Sequence, residues 1–343
     1  PSLGKEYSVT VNGLVASYTA TGVDTIATVC SALALALAAT PAFAQKKYDE
    51  GASDTEIKIG NTMPYSGNAS AYGNIGRTIE ATFKMVNDNG GINGRPIEYH
   101  VEDDQWNPEA AAAAAAKLVN DQKAVAMVGN GSFTEMAVNA QTYVDQGIMA
   151  MASACAISEC FETPNLVSTN QGPLASNLGA AQYAQEELGS KNVACIGLNI
   201  PNNGIWSCQA VIDYMTSKGG TGSMAMLNPG APDVNSALLE AVASGADTIL
   251  MNLPAGLALA VLKAAQEQDL RDSYTWIAPT PLYDLSVPDA VGEYWHGKIW
   301  VNAELAPINQ GGPDGQNWLA VLDAFGKADD PRDTFSQAGY LSA

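Results

Sequence analysis

Histidine and positive charge are scarce in this chain. His100 and His296 are the only histidines in 343 residues, and they lie far apart in sequence. Histidine-based acid–base chemistry therefore has little to work with. Lys and Arg total 16 against 36 acids, a net charge of −20. A surface so poor in cations repels nucleic acid and anionic lipid, which excludes both as partners. Downstream of residue 45 no run of 18 apolar residues occurs, so no membrane span is expected there. No Gly-x-Ser-x-Gly, P-loop or Gly-x-Gly-x-x-Gly follows a strand pattern, and no Cys-x-x-Cys or paired His suggests zinc. No metal and no cofactor are expected.

What is present is the composition of packed domains. Hydrophobic residues make up 47% of a chain long enough for two domains. From residue 56 onward strand and helix patterns alternate. Strands are expected at 56–60, 97–102, 124–128, 148–152, 193–198, 223–227, 248–252, 274–278 and 298–301. Helices are expected at 76–89, 108–123, 132–146, 175–188, 205–218, 235–244, 257–268, 317–327 and 335–341. In the first helix Ile79, Phe83 and Val86 form one apolar stripe. In the second, Asn107 precedes Pro108, an N-cap followed by proline at the first helical position. Such alternation means parallel sheets covered by helices. The rhythm breaks at 164–173 and again at 297–307, two strand-like crossovers that divide the strands into two sheets. The chain stops inside its last helix without a cap, which reads as a truncated C-terminus.

The N-terminus follows other rules. Residues 26–39 form a short apolar run, and Ala42-Phe43-Ala44 follows it. A run of this length before Ala-x-Ala reads as a secretory signal cleaved after Ala44, hence a periplasmic protein; a buried alanine-rich helix is the alternative. Upstream, residues 7–11 and 14–19 around Asn12-Gly13 read as a hairpin with a type I′ turn. That does not suit a signal, so residues 1 to about 24 read as a gene-model or fragment artefact, or else as a genuine hairpin fused ahead of the domain. Cys30 would leave with the signal. Cys155, Cys160, Cys195 and Cys208 remain, an even number that suggests disulfides in an exported protein. Three pairings are open, and proximity favours Cys155–Cys160 and Cys195–Cys208.

Three loops at expected strand ends are built of small residues. Residues 65–73 offer Ser66, Asn68, Ser70 and the aromatic Tyr72 at the start of a helix. Residues 129–134 offer amides, Asn130, the hydroxyls of Ser132 and Thr134, and Phe133, a set that suits a carboxylate. Residues 153–158 form the third edge, with Ala154, Cys155 and Ala156. Each alone reads as a tight turn or an ordinary N-cap; three in a row favour a shared cleft. Trp206 and Tyr283 also fall at loop edges and are ligand candidates. The cluster Glu102-Asp103-Asp104 could hold a cation or act as acid and base, although a solvated strand edge with a capping role is the plainer reading.

Three ordered motifs carry a resemblance: Met63-Pro-Tyr-Ser-Gly-Asn-Ala-Ser-Ala-Tyr-Gly73, Val86-Asn-Asp-Asn-Gly-Gly-Ile-Asn-Gly-Arg-Pro96 and Glu102-Asp-Asp-Gln-Trp-Asn-Pro-Glu-Ala-Ala111. From about residue 56 to 343 the chain resembles the type I periplasmic solute-binding proteins, in particular the Leu/Ile/Val-binding group of ABC importers. The resemblance implies an α/β fold of two Rossmann-like lobes joined by three crossovers, closing on a ligand. It implies a signal region at 1–44, a first lobe at 45–168 and 302–343, and a second at 169–301. It also implies an exported monomer that performs no chemistry and delivers its ligand to a membrane permease. The alternatives from other classes are an exported α/β enzyme using residues 102–104 and a ligand sensor. Carried over by position, Ser66–Tyr72, Asn130–Thr134 and Ala154–Ala156 would contact the ligand from one lobe. Asn203, Trp206, Pro254, Thr280 and Tyr283 would close on it from the other. Amino acid binders of this group usually place Glu or Asp within the stretch that here runs Pro279-Thr-Pro-Leu-Tyr283. With no acid in that stretch, a buried ammonium would go unpaired, which is costly. The expected ligand is therefore a carboxylate without an amine, possibly aromatic, with an amino acid as the rival.

Overall fold

A computed structural model describes residues 4–11, 14–21, 23–39, 48–67, 69–131, 133–283, 287–308 and 311–343. The chain divides into two compact units, 1–49 and 50–343. In the first, β1 (Glu6–Val11) pairs antiparallel with β2 (Leu14–Thr19), in register from Glu6 opposite Thr19 to Val11 opposite Leu14, and α1 spans Ile26–Ala39. The hairpin forms where alternation placed it. Its turn at Asn12-Gly13 and the cleavage position after Ala44 lie outside the described residues, as do the candidates Asn68 and Ser132.

The second unit holds two five-stranded parallel sheets. The first contains β3 (Ile57–Met63), β4 (Ile97–Asp103), β5 (Ala126–Asn130), β6 (Met149–Ala152) and β7 (Leu166–Ser168), in spatial order β4-β3-β5-β6-β7. Between them run α2 (Gly73–Asp88), α3 (Pro108–Ala116), α4 (Phe133–Gln146) and the single turn α5 (Glu159–Glu162). After α6 (Gly172–Glu186), the second sheet contains β8 (Asn192–Leu198), β9 (Thr221–Leu227), β10 (Thr248–Asn252), β11 (Thr275–Ala278) and β12 (Ile299–Val301), in order β12-β11-β10-β8-β9. Its connecting helices are α7 (Trp206–Ser217), α8 (Val234–Ala243), α9 (Ala255–Glu267) and α10 (Val287–Val291). The chain then returns to the first sheet, where α11 (Pro313–Phe325) and α12 (Thr334–Ser342) pack on α2. All nine expected strands form; β7, expected only as a strand-like crossover, pairs in parallel with β6.

Period-two alternation builds each sheet into the middle of a sandwich. In β8, Ala194 and Ile196 face one apolar layer while Val193 and Cys195 face the other. In β10 and β11, Ile249, Met251 and Trp276 join the first layer, and Leu250 and Ile277 the second. On α2 the buried stripe is Ile75, Ile79 and Phe83, one turn earlier than expected, because the helix already begins at Gly73. Glycines there are tolerated for packing reasons: a Cβ on Gly76 would lie 1.8 Å from the Tyr65 hydroxyl, which donates to Asn61 Oδ1 at 2.6 Å. Helix α3 starts as expected, Asn107 Oδ1 accepting from Ala110 N at 2.9 Å, but gives way at Lys117–Asp121 to a turn of π-helix.

Among the described residues the chain passes between the sheets twice, at 169–171 and 302–306. These passages meet through hydrogen bonds from Asn170 and the Gln171 backbone to the Glu304 carboxyl, and the second is tied to α6 and to the turn after β11. Asn302 Nδ2 donates to Ser176 O at 2.8 Å, and Thr280 Oγ1 donates to Asn302 O at 2.9 Å. The second passage also returns hydrogen bonds to the second lobe, so the site described next is framed on both sides by connecting segments.

Candidate functional site

A cavity of about 110 Å³ lies between the carboxyl edges of the two sheets. Its walls come from four places. The loop after β6 gives Ser153 to Ala156, and the first passage gives Thr169, Asn170, Pro173 and Ser176. The second lobe gives Asn252, Pro279, Thr280 and Pro281. The second passage gives Glu304 and Leu305, while Thr334, Phe335, Ala338 and Leu341 of α12 and Tyr72 complete the lining. The surface is mostly apolar, and Asn170, Ser176, Thr280 and Glu304 form one hydrogen-bonded polar corner in it.

Side-chain bonds hold that corner in place. Asn170 clamps Cys155 with both ends of its amide, accepting from Cys155 N and donating to Cys155 O, each at 3.0 Å. Thr280 Oγ1 accepts from Glu304 N at 3.1 Å. Burial pushes the Glu304 carboxyl above the usual glutamate range, against the opposing effect of hydrogen bonding from Thr280, Ser176, the Gln171 backbone and Asn170. A half-buried acid thus faces the cavity. The stretch 279–283 carries no acid, as read from the sequence, but Glu304 of the second passage lines the cavity beside it, and Thr280 accepts from the Glu304 backbone. On α12, Ser342 Oγ meets Ser153 Oγ at 2.7 Å and Thr169 Oγ1 at 2.9 Å, fastening the helix to the loop after β6.

The candidates from sequence separate into two groups. Tyr72, Ala154, Cys155, Ala156 and Thr280 line the cavity together. Tyr72 packs on Phe335 at 4.5 Å and edge-on to Trp106 at 5.7 Å. The others stand elsewhere. Ser66 is exposed, its amide donating to Asp103 Oδ1 at 3.3 Å, and Ser70 opens a short 3-10 turn. Asn130 is fully buried: its side chain donates to Glu135 at 3.0 Å and its carbonyl accepts from Ser153 N at 2.7 Å. Phe133 opens α4, and Thr134 is buried in its first turn. Asn203 donates to Ala156 O at 2.5 Å, and Trp206 stacks on Phe161 at 6.2 Å. Pro254 is the N-cap of α9. Tyr283 turns to the second passage, its hydroxyl accepting from Ile308 N at 2.8 Å and its carbonyl from Thr334 Oγ1 at 2.5 Å.

The acids at 102–104 are engaged in the fold. Glu102 pairs with Lys117 at 2.6 Å. Burial favours the neutral form of Asp103, but hydrogen bonds from Ser66, Gln105 and Tyr65 outweigh it and hold the carboxyl below its ordinary value. Asp104 is buried and accepts from Trp106 N at 2.9 Å. Two disulfides join Cys155 to Cys160 and Cys195 to Cys208.

Two α/β lobes around a small cavity at their facing sheet edges define a class of ligand-binding proteins. The chain belongs to the periplasmic binding protein family, whose description matches residues 56–343. It is 29% identical over 146 residues to a leucine-, isoleucine-, valine-, threonine- and alanine-binding protein of Pseudomonas aeruginosa, covering 40% of this chain and 38% of that one. It is 33% identical over 119 residues to a Leu/Ile/Val-binding protein homolog of Brucella abortus, covering 34% and 30%. The match thus spans less than two fifths of these relatives' length. Among solved structures, an ABC transporter solute-binding protein from R. palustris in complex with 4-hydroxybenzoate superposes with a TM-score of 0.74 at 22% identity, covering 84% of this chain and 78% of that one. A leucine-binding protein from Thermotoga maritima superposes at 0.69 and 18% identity, covering 83% and 80%.

Proposed function

We propose that the chain is an exported solute receptor that captures an apolar α-amino acid between its lobes and delivers it to the permease of an ABC importer. The observation that carries the ligand class is Glu304, an acid at the polar corner of an otherwise apolar cavity. A ligand ammonium beside it would favour the ionised carboxylate and satisfy a charge that is costly to bury alone. Leu305, Phe335, Ala338 and Leu341 would receive an aliphatic side chain. The named ligands of the Pseudomonas and Brucella relatives agree with this reading.

The reading reverses the preference drawn from residues 279–283. A second reading, an aromatic carboxylate, keeps one observation in its favour: Tyr72 and Phe335 pair in the cavity wall and would stack on a ring. Within the proposal the lobes divide at residues 168 and 301, Tyr72, Ala154–Ala156 and Thr280 contact ligand, and the receptor acts as a periplasmic monomer. Calorimetric titration with leucine tests the function. Saturable one-to-one binding without turnover is expected; product formation from any candidate ligand would defeat the receptor reading.

A further inference from the structure

Beside the cavity, and sharing Ala156 with its wall, a second set of contacts joins the lobes. It is made by α5 on one side and by a π-helical turn, Pro201–Ile205, on the other. Ser158 N donates to Asn202 O at 2.9 Å. The Asn202 side-chain amide donates back to both carboxylate oxygens of Glu159, at 2.8 and 2.9 Å. Asn203 Nδ2 reaches Ala156 O, and the Phe161 and Trp206 rings stack with an interplanar angle of 25°.

Both halves are stiffened from within. The Cys155–Cys160 disulfide closes the loop that carries Ala156, Ser158 and Glu159. Opposite, Cys208 ties the start of α7 to β8 through Cys195. Gly204 lets the π-turn fold tightly, since a Cβ there would lie 2.1 Å from Leu198 O. Local π-helical turns of this kind often mark functional positions. The Phe161 ring also covers Gly172, the first residue of α6 next to the first passage, where a Cβ would come within 2.3 Å of it and φ is +76°. The contact set therefore touches both lobes and the segment between them.

We propose that this is a clasp, braced by one disulfide on each side, that holds the lobes closed in the absence of ligand. Neither half has freedom to follow the other once the lobes part, because each is cross-linked to its own lobe. Opening then breaks the Asn202–Glu159, Asn203–Ala156 and Phe161–Trp206 contacts together, as one unit. A clasp of this type raises the closed population of the empty receptor and slows exchange of ligand with solvent.

The test uses the full chain without ligand. Small-angle scattering reads the lobe separation, and amide exchange reads protection of Ser158. Asn202→Asp sets a carboxylate against Glu159 and is expected to increase the radius of gyration and raise Ser158 exchange at least tenfold, with exchange in β8 and β10 unchanged. The double variant Asn202→Asp, Glu159→Gln exchanges donor and acceptor and is expected to restore both readouts. A merely structural pair would show loss of protection spread through the core. Unchanged scattering and Ser158 exchange in Asn202→Asp, general loss of protection in that variant, or failure of the double variant to recover would each overturn the clasp.

Discussion

Two glutamates, the buried Glu135 and the half-buried Glu304, illustrate how similar chemistry is put to different uses. Glu135 lies in the first turn of α4 below the end of β5 and is wholly enclosed. Asn130 Nδ2 and the Tyr143 hydroxyl donate to its Oε1 at 3.0 and 2.5 Å. Burial raises its pKa from 4.5 to about 7, against those hydrogen bonds, and Asp104 adds to the rise. Glu304 is also raised by burial, yet it stands at a cavity wall with its backbone held by Thr280. One acid closes its own environment; the other presents a carboxyl to a space that a ligand can fill. Asn130 looked like a ligand residue in the sequence because a small-residue loop ends a strand there. The neighbouring Glu135 claims it instead.

Substitutions at the two sites should separate these roles. Under the proposed function, Glu304→Gln leaves a ligand ammonium without its charge partner. Loss of such a partner costs about 2–5 kcal/mol, roughly 30-fold to several thousand-fold in Kd. Thermal stability should barely move, and calorimetry with leucine beside a melting curve checks both halves. Unchanged affinity would erase the distinction between the two acids.

Glu135→Gln should do the reverse, leaving affinity in place and changing the pH dependence of stability. Glu135 holds its proton in the folded state up to about pH 7, whereas the unfolded chain releases it near 4.5. Between these values the folded state binds more protons, so stability falls as pH rises and the penalty is complete above pH 7. The difference amounts to at most about 3 kcal/mol. Denaturant melts of wild type and variant at pH 5 and pH 8 should show a slope in that window for wild type that the variant lacks.

A smaller effect is expected where the loops after β5 and β6 meet. A Cβ on Gly131 would lie 2.8 Å from Ala154 N, so Gly131→Ala must displace a cavity wall. The cost should be about 1–2 kcal/mol, read as a lowered denaturation midpoint with weaker ligand binding. Ser66→Ala should be the mildest, about 0.5–1 kcal/mol and without effect on affinity, since Ser66 is exposed and keeps its backbone bond to Asp103 while losing only the hydroxyl's. A marked loss of binding in Ser66→Ala would mean that the first loop reaches ligand after all.

Much of the fold was legible because alternation is a local signal. Val193 to Ile196 declare a strand buried on both faces, and Asn107-Pro108 declares where α3 begins. Tyr72, the loop at 154–156 and Thr280 were legible as residues that would share a cleft, and they line the cavity, because strand ends in parallel sheets gather at one edge. Glu304, Thr334 and Phe335 were not. They sit on a passage between lobes and on a returning helix, and only the topology brings them to Thr280 and Tyr72. Asn203 and Trp206 were carried over to the ligand by position from the resemblance, but their side chains meet Ala156 and Phe161 of the other lobe. A loop's position was readable; the partner that would claim each side chain was not.

The most direct test is isothermal titration of wild type and Glu304→Gln with leucine and, separately, with 4-hydroxybenzoate. Saturable leucine binding to wild type, lost in Glu304→Gln, is the expected result. Binding of 4-hydroxybenzoate alone, or leucine binding indifferent to the loss of Glu304, would contradict the assignment of this acid to the ligand's amine.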